Sequence, residues 1–120
     1  AEIAYSILWN NPTNVLGDVS VVWSNVKSGE GLSGEGIMSA DPLFAEAPVD
    51  FHLKSKVWRW TPGGWVRDTE HSPCIDAGPR GVPSVENEPM PNGARLNLGA
   101  FGGTEQASMT LIAGTMFMLR

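Results

Sequence analysis

Short runs of apolar residues, each closed by turn-forming residues, recur along the first third of the chain. AYSILWNN (residues 4–11) and VSVVWSNV (residues 19–26) are rich in β-branched and aromatic residues and are bounded by Asn-Pro and Gly-Asp. This pattern is typical of short β-strands. In VDFHLKS (residues 49–55), apolar and polar residues alternate from Val49 to Leu53. The alternation predicts a half-buried strand with the odd-numbered side chains inside.

The rest of the chain also favours strands and turns. VWRWTPGGWVRD (residues 57–68) predicts a hairpin, because TPGG supplies a turn between tryptophan-bearing segments. Residues 78–93 are rich in Pro, Gly, Glu and Asn and predict a long surface loop. ARLNLGAFGG (residues 94–103) predicts one more short strand. No segment shows a helical period over about eleven residues or more, so we expect an all-β fold.

Two of the strand segments align with each other. Residues 7–11 (ILWNN) precede residues 21–25 (VVWSN) by fourteen positions, and apolar residues, Trp and Asn fall in matching places. Coils that stack in register place like residues above like residues. The repeat therefore predicts that Trp9 lies next to Trp23.

The composition agrees with short strands and frequent corners. Hydrophobic residues make up 42% and charged residues 18% of the 120 positions, while Gly (14) and Pro (9) are common. The net charge of −5 and the eight Lys and Arg residues argue against a nucleic-acid partner, whose affinity depends on neutralising phosphates. The length predicts one domain, which we place at residues 1–110, followed by an apolar tail at residues 111–120.

The apolar tail is too short to be a membrane span. The most apolar run, residues 109–120, falls below the roughly 20 residues that cross a bilayer. We interpret the tail as a strand, a cap or a partner-binding segment. The start of the chain lacks the regions of a signal peptide, and a single cysteine allows no internal disulfide.

The order of motifs resembles the C-terminal end of right-handed parallel β-helix proteins, the large pectate-lyase-like secreted proteins of bacteria. The motifs are SILWNN, VVWSNV, GEGIMSADPLF, DFHLKS, SPCIDAG and NGARLNLGAFGGTEQASM, and they extend from about Tyr5 to Met109. The resemblance implies a short right-handed parallel β-helix of about two to three coils, with a Trp hairpin and a long Pro/Gly loop. It also implies an extracellular or cell-surface location.

The short coil stack implied by the resemblance has a consequence for partners. Proteins of this class have many coils before their C-terminal end, whereas this chain has room for a few. One end of the stack would then be exposed. We therefore expect self-association through the open coil end or through the tail at residues 111–120.

The sequence HSPCIDAG raises the question of thiol chemistry, because Cys74 follows His71 by three residues. A cysteine nucleophile needs a base within reach and a lowered pKa. The resembling proteins carry Ala or Cys at this place, which favours a small apolar filler. We predict a structural turn built by Pro73, Cys74, Asp76 and Gly78, and no catalytic residue.

The other polar residues predict neither a metal site nor a cofactor site. A hard cation needs six or more oxygen ligands, and the aspartates are scattered without a D-x-D-x-D-G arrangement. The Gly-rich residues 28–40 lack the strand, the helix and the G-K-[ST] of a phosphate-binding loop. An enzyme, as a remnant polysaccharide lyase or hydrolase, is the least favoured of three hypotheses.

The favoured hypothesis is a non-catalytic structural or interaction module that associates with itself. The alternative is a carbohydrate-binding module that uses the hairpin tryptophans Trp58, Trp60 and Trp65, because exposed aromatic rings stack on sugars. Against this alternative, the hairpin can fold over the open coil end and hide the three rings. Binding of a polysaccharide partner therefore requires that these three side chains are exposed to solvent.

Overall fold

The computed structural model describes residues 2–9, 19–27, 32 and 34–110. The tail at residues 111–120, with the strand, cap or partner-binding role predicted for it, lies outside the described residues. The described part is all-β, with eight short strands and one 3-10 helix. These elements are β1 (Glu2–Ala4), β2 (Ile7–Leu8), β3 (Ser20–Val22), β4 (Asn25–Val26), β5 (Phe44–Glu46), β6 (Asp50–Leu53), β7 (Arg59–Thr61), β8 (Gly64–Val66) and the 3-10 helix (Pro83–Asn87).

The two N-terminal sheets are parallel pairs. β1 lies beside β3 with Ile3 opposite Val21, and β2 lies beside β4 with Ile7 opposite Asn25. An isolated parallel bridge joins Asn25 to Met38 on the far side of β4. The predicted strand segments at the start of the chain therefore pair with each other.

The predicted right-handed parallel β-helix is wrong. The described residues form four separate two-stranded sheets, and the two parallel pairs do not continue into stacked coils. The other two sheets, β5–β6 and β7–β8, are antiparallel. The physical reason is the density of turn residues: the strands are two to four residues long, and the third pass of the chain beside β4 makes an isolated bridge at Met38 instead of a strand.

The predicted offset of fourteen residues between the N-terminal strands is also wrong. Ile7 lies opposite Asn25 rather than opposite Val21. As a result, the N–H of Tyr5 donates to the Trp23 carbonyl at 2.9 Å. Trp23 therefore aligns with Tyr5 and not with Trp9.

Left-handed bends fix the observed alignment. Tyr5, Trp23 and Gly36 have φ values of 58°, 47° and 71°. The N–H of Trp23 donates to the Glu35 carbonyl at 2.7 Å, immediately before Gly36. A Cβ at position 36 would lie 2.3 Å from the Trp23 ring, so glycine is required there. Three passes of the chain thus turn at matching places.

The hairpin predicted for residues 57–68 is present as β7 and β8. Trp60 lies opposite Trp65, and Thr61 lies opposite Gly64 at the turn. The loop predicted at residues 78–93 contains the 3-10 helix. These two segments depend on local turn residues, which the sequence displays directly.

The strand predicted at residues 49–55 is β6, and Leu53 is buried as predicted, but the predicted positions of Phe51 and His52 are wrong. Phe51 is 44% exposed, whereas His52 is 7% exposed. His52 occupies the inward position because the rings of Trp60 and Phe101 stack on it. Side-chain packing has therefore overridden the simple alternation of apolar and polar residues.

One hydrophobic cluster joins β2 to the β5–β6 sheet and to the HSPCIDAG turn. Its buried members are Leu53, Cys74, Ile75 and Leu98. Partly buried side chains that pack against it are Ile7, Met38, Phe44 and Ala77. The cluster includes residues between positions 7 and 98, and the turn that contains Cys74 supplies three of its eight members.

A buried asparagine side chain connects segments that share no strand ladder. Asn25 is 0% exposed. Its Nδ2 donates to the Ala40 carbonyl at 2.7 Å, and its Oδ1 accepts the Ala40 N–H at 3.0 Å. The same Nδ2 lies 3.1 Å from Sγ of Cys74. This amide therefore replaces two backbone hydrogen bonds of a sheet.

We expect Asn25→Ala to lower the free energy of unfolding by about 2–4 kcal/mol. The substitution leaves both Ala40 backbone groups without a partner, at roughly 1–3 kcal/mol for each. Urea unfolding followed by tryptophan fluorescence measures the change. Asn87→Ala is the matched control, because Asn87 is exposed and such substitutions shift stability by less than about 0.5 kcal/mol. Equal stability of the two variants would contradict the role of Asn25.

Candidate functional site

The HSPCIDAG turn buries its thiol. Cys74 is 0% exposed, and burial raises the pKa of its thiol. His71 Nδ1 accepts the N–H of Lys56 at 3.0 Å, and burial lowers the pKa of the His71 imidazole. A thiol nucleophile needs a lowered pKa and an available base. Cys74 and His71 therefore do not have the arrangement of a catalytic pair.

The other residues predicted for this turn make backbone contacts. Asp76 has a φ of 57°, and its N–H donates to Oδ1 of Asn97 at 2.9 Å. The N–H of Gly78 donates to the Leu96 carbonyl at 2.8 Å, and a Cβ at Gly78 would lie 2.8 Å from the same oxygen. Pro73 is exposed. The turn thus joins the final segment of the described chain through hydrogen bonds.

The three hairpin tryptophans do not form a shared, open platform. Each of them is half-buried. The guanidinium of Arg67 lies 4.4 Å from the ring centre of Trp58. Trp60 stacks on His52 with 5.3 Å between ring centres and an angle of 23°. Trp65 lies opposite Trp60 in the hairpin, so each ring has a different environment.

Trp60 borders a groove of about 420 Å³ between β6 and the hairpin, which we call the Trp60 groove. Phe101 lies on the opposite side of His52, with 3.6 Å between ring centres and an angle of 12°. His52 is thus enclosed between two aromatic rings. Phe51 and Asp50 also line the groove, which therefore combines aromatic surface with a carboxylate.

A polar network holds the His52 ring at both nitrogens. Asp50 Oδ1 lies 2.6 Å from Nδ1, and Gln106 Oε1 lies 2.9 Å from Nε2. Burial raises the pKa of Asp50, but hydrogen bonds from His52 and the charge of Arg59 outweigh burial and lower the pKa overall. Asp50 is therefore ionised, and Nδ1 of His52 donates to it.

Arg59 connects this network to the hairpin. Its Nε and Nη2 donate to the two carboxylate oxygens of Asp68 at 2.8 and 3.0 Å. Asp68 also accepts the N–H of Ser55 at 2.9 Å. Burial raises the pKa of Asp68, but the bonds from Arg59 and Ser55 outweigh it, so the pKa is lowered. Arg59 Nη1 lies 3.8 Å from Asp50 Oδ2.

A second groove of about 520 Å³, which we call the β2-edge groove, follows residues 5–9. Phe44, Phe51 and Ala100 form its opposite wall. The side chains of Tyr5 and Phe51 are 37% and 44% exposed, and Phe44 meets Phe51 edge-on at 5.0 Å. Phe51 and Ala100 border both grooves, so the two grooves adjoin each other along these residues.

Sequence reasoning named Trp60 but missed the other residues that build these grooves. The signal in DFHL is the placement of Asp50 and His52 two residues apart, which puts both side chains on one side of a strand. Tyr5 and Phe51 gave no such signal, because distant segments bring them together. Of the predicted ligand-binding tryptophans, Trp60 lines a described groove.

Within the described ranges, no group of three or more His, Cys, Asp or Glu side chains is placed to hold a metal ion. No helix in this part of the chain is long and apolar enough to cross a membrane.

We expect Asp68→Asn to lower the free energy of unfolding at pH 7 by about 2 kcal/mol, because Arg59 loses a charged partner. The pKa of Asp68 is lowered by folding, so its contribution is complete above the unfolded value near 3.8. The contribution disappears as the pH falls through the folded value. The difference between wild type and variant should therefore close on acidification, as measured by urea unfolding between pH 7 and pH 3.

Glu70→Gln serves as the control for this substitution. Glu70 bonds to Lys54 at 3.0 Å, but its side chain is 53% exposed, so the pair contributes little. A loss of stability in Glu70→Gln equal to that in Asp68→Asn would show that the buried pair has no special role.

Comparison with known proteins gives a single finding. A family model described as "Disaggregatase related" matches residues 7–78, from β2 to the end of the HSPCIDAG turn. No curated protein and no solved structure matches the chain. The family match does not bear on the resemblance to β-helix C-terminal ends, which stays a prediction. Because the match covers more than half of the 120 residues, the chain belongs to the disaggregatase-related family.

Proposed function

We propose that the chain is a non-catalytic interaction module whose β2-edge groove binds a second copy of the chain. The observation that carries this proposal is the position of the groove beside β2, which among the described strands pairs with β4 alone. The free edge of a strand offers backbone donors and acceptors to another chain. Exposed Tyr5 and Phe51 add apolar contact area beside that edge.

The charged groups near the grooves support a non-catalytic role. Asp50 and Asp68 bond to His52 and Arg59, and the pKa of both carboxyl groups is lowered. A general acid that works at neutral pH needs a raised pKa. This network is better suited to fixing the position of the rings than to proton transfer.

A second copy is the occupant that this surface favours. Every chain carries both the strand edge of β2 and the aromatic wall that faces it. A two-fold arrangement therefore buries two grooves at once, which is the usual geometry of soluble dimers. Aromatic side chains such as Phe51 and Tyr5 are the residues that most often anchor such contacts.

We expect the protein to sediment with the mass of two chains in the micromolar range. Phe51→Ser should weaken association by about tenfold or more, because truncation of a central aromatic residue typically costs over 1 kcal/mol of binding free energy. Sedimentation equilibrium measures both masses.

Met90→Ser is the matched control for self-association. Met90 is 66% exposed and lies in the loop after the 3-10 helix, outside the walls of both grooves. Its substitution should leave association unchanged. A strictly monomeric wild type, or the same loss in Met90→Ser as in Phe51→Ser, would sink the proposal.

Carbohydrate binding in the Trp60 groove is a second candidate function. The observation that favours it is that aromatic rings and an ionised carboxylate line one groove, formed by Phe51, Trp60 and Phe101 together with Asp50. Sugar rings place their apolar faces on aromatic side chains, and their hydroxyl groups donate to carboxylate oxygens. A polysaccharide ligand agrees with the extracellular or cell-surface location that the resemblance implies.

Trp60→Ala should abolish any binding of pectin, alginate or xylan that the wild-type protein shows. Titration of tryptophan fluorescence measures it, with urea unfolding to confirm that the variant is folded. Trp58→Ala is the control, because Trp58 lies under Arg67 and does not line the groove. If the tryptophan fluorescence of the wild-type protein does not change on addition of pectin, alginate or xylan, the proposal that the Trp60 groove binds these polymers is wrong.

A further inference from the structure

The sequence contains one Asn-Gly pair, at Asn92 and Gly93, in the loop that follows the 3-10 helix. Asparagine followed by glycine is the pair most prone to deamidation, because glycine has no Cβ to hinder the attack of its backbone nitrogen on the asparagine amide. Both residues favour turns, which usually lie at the surface. Asn92 is nevertheless buried, with 6% of the residue exposed.

Three hydrogen bonds hold the Asn92 amide in one orientation. Its Nδ2 donates to the Glu88 carbonyl at 3.2 Å and to the Pro89 carbonyl at 3.4 Å. Its Oδ1 accepts the N–H of Ala94 at 2.9 Å, which closes an Asx turn. Deamidation removes Nδ2 as ammonia, so both carbonyl contacts are lost in the reaction. The folded loop therefore opposes it.

The Glu88 side chain fastens this loop to the final segment of the described chain. Glu88 is 3% exposed, and its Oε2 accepts the backbone N–H groups of Asn97 and Gly103, each at 2.9 Å. Asp76 packs against Gly93, where a Cβ would lie 2.1 Å from Oδ2 of the carboxylate. The backbone at Gly93 therefore has little room to rotate while these contacts persist.

We propose that Asn92 is a modification site that the folded loop protects, and that its deamidation marks molecules in which the loop has opened. In the reaction, the Gly93 nitrogen gives its proton to solvent and bonds to Cγ of Asn92, whose amide group leaves as ammonia. Water then opens the resulting succinimide ring at either carbonyl group and gives aspartate or isoaspartate. The net reaction consumes water and yields a carboxylate and ammonium.

The product cannot restore the original contacts. An ionised carboxylate has no hydrogen to donate, so the carbonyl groups of Glu88 and Pro89 lose the partner that Nδ2 provided. The reaction also places a charge where a neutral side chain was buried. Deamidation therefore makes the opening of the loop irreversible. Asn92 lines neither groove, so this modification is independent of both.

Incubation of the full chain at pH 8, followed by peptide mapping with mass spectrometry, tests the protection. In the folded wild type, Asn92 should deamidate at least about tenfold more slowly than in urea, because only open molecules react. Glu88→Ala should remove most of this protection, since it releases the N–H groups of Asn97 and Gly103. Glu88→Gln should keep the protection, because its amide oxygen accepts the same N–H groups.

Glu86→Ala is the matched control, because Glu86 is exposed on the same helix, and it should leave the rate of deamidation unchanged. If Glu88→Ala does not fold, wild-type incubations at increasing urea concentrations below the unfolding midpoint provide the test, and the rate should rise with urea. Equal rates in the folded and the unfolded wild type, an unchanged rate in folded Glu88→Ala, or equal acceleration by Glu86→Ala would overturn the proposal.

Asn92→Asp tests the consequence of the modification, because it reproduces one of the products. It should unfold at a lower urea concentration than the wild type, since a charge replaces a buried amide that donates hydrogen bonds. Asn87→Asp is the control, because Asn87 is exposed, and it should unfold close to the wild type. The same unfolding midpoint in both variants would contradict an irreversible opening of the loop.

Discussion

The Asn25 side chain makes the contact on which the rest of the structure depends. Its amide occupies both backbone groups of Ala40 and reaches the thiol of Cys74, while its backbone N–H donates to the Ser6 carbonyl at 2.9 Å. One residue thus joins the parallel strands, the segment that follows them and the central turn. Strands of two or three residues form few backbone hydrogen bonds with each other. The Asn25 side chain makes this connection in their place.

Side-chain bonds to backbone groups replace sheet ladders elsewhere as well. Ser55 is 0% exposed, and its hydroxyl donates to the Met109 carbonyl at 2.7 Å. Asn97 is 2% exposed, and its amide donates to the Ser108 carbonyl at 2.8 Å. Such bonds satisfy buried backbone groups where the chain is irregular. They explain how a chain rich in Gly and Pro keeps an ordered interior without extended sheets.

Local turns were predictable from the sequence, whereas the long-range arrangement was not. The hairpin at residues 57–68 followed from its four turn residues. The predicted pairing of Ile7 with Val21 was wrong. A strand of two residues can pair at several offsets, and the left-handed bends at Tyr5, Trp23 and Gly36 select the observed one. His52 faces the interior because the rings of Trp60 and Phe101 stack on it. The alternation of apolar and polar residues does not indicate this stacking. The β2-edge groove was missed for the same reason, since Tyr5 and Phe51 meet through the fold alone.

The carboxyl groups of the chain divide into two sets that respond to pH in opposite directions. Asp50 and Asp68 have cationic partners, so their pKa values are lowered and their contribution to stability is lost in acid. Burial raises the pKa of Asp76 and of Glu88, so the stability that depends on their protonated forms is lost as the pH rises. The first set holds the rings of the Trp60 groove, and the second holds the loop beside the central turn. Acid therefore weakens the bonds around the Trp60 groove, whereas a rise in pH acts on the carboxyl groups beside the central turn.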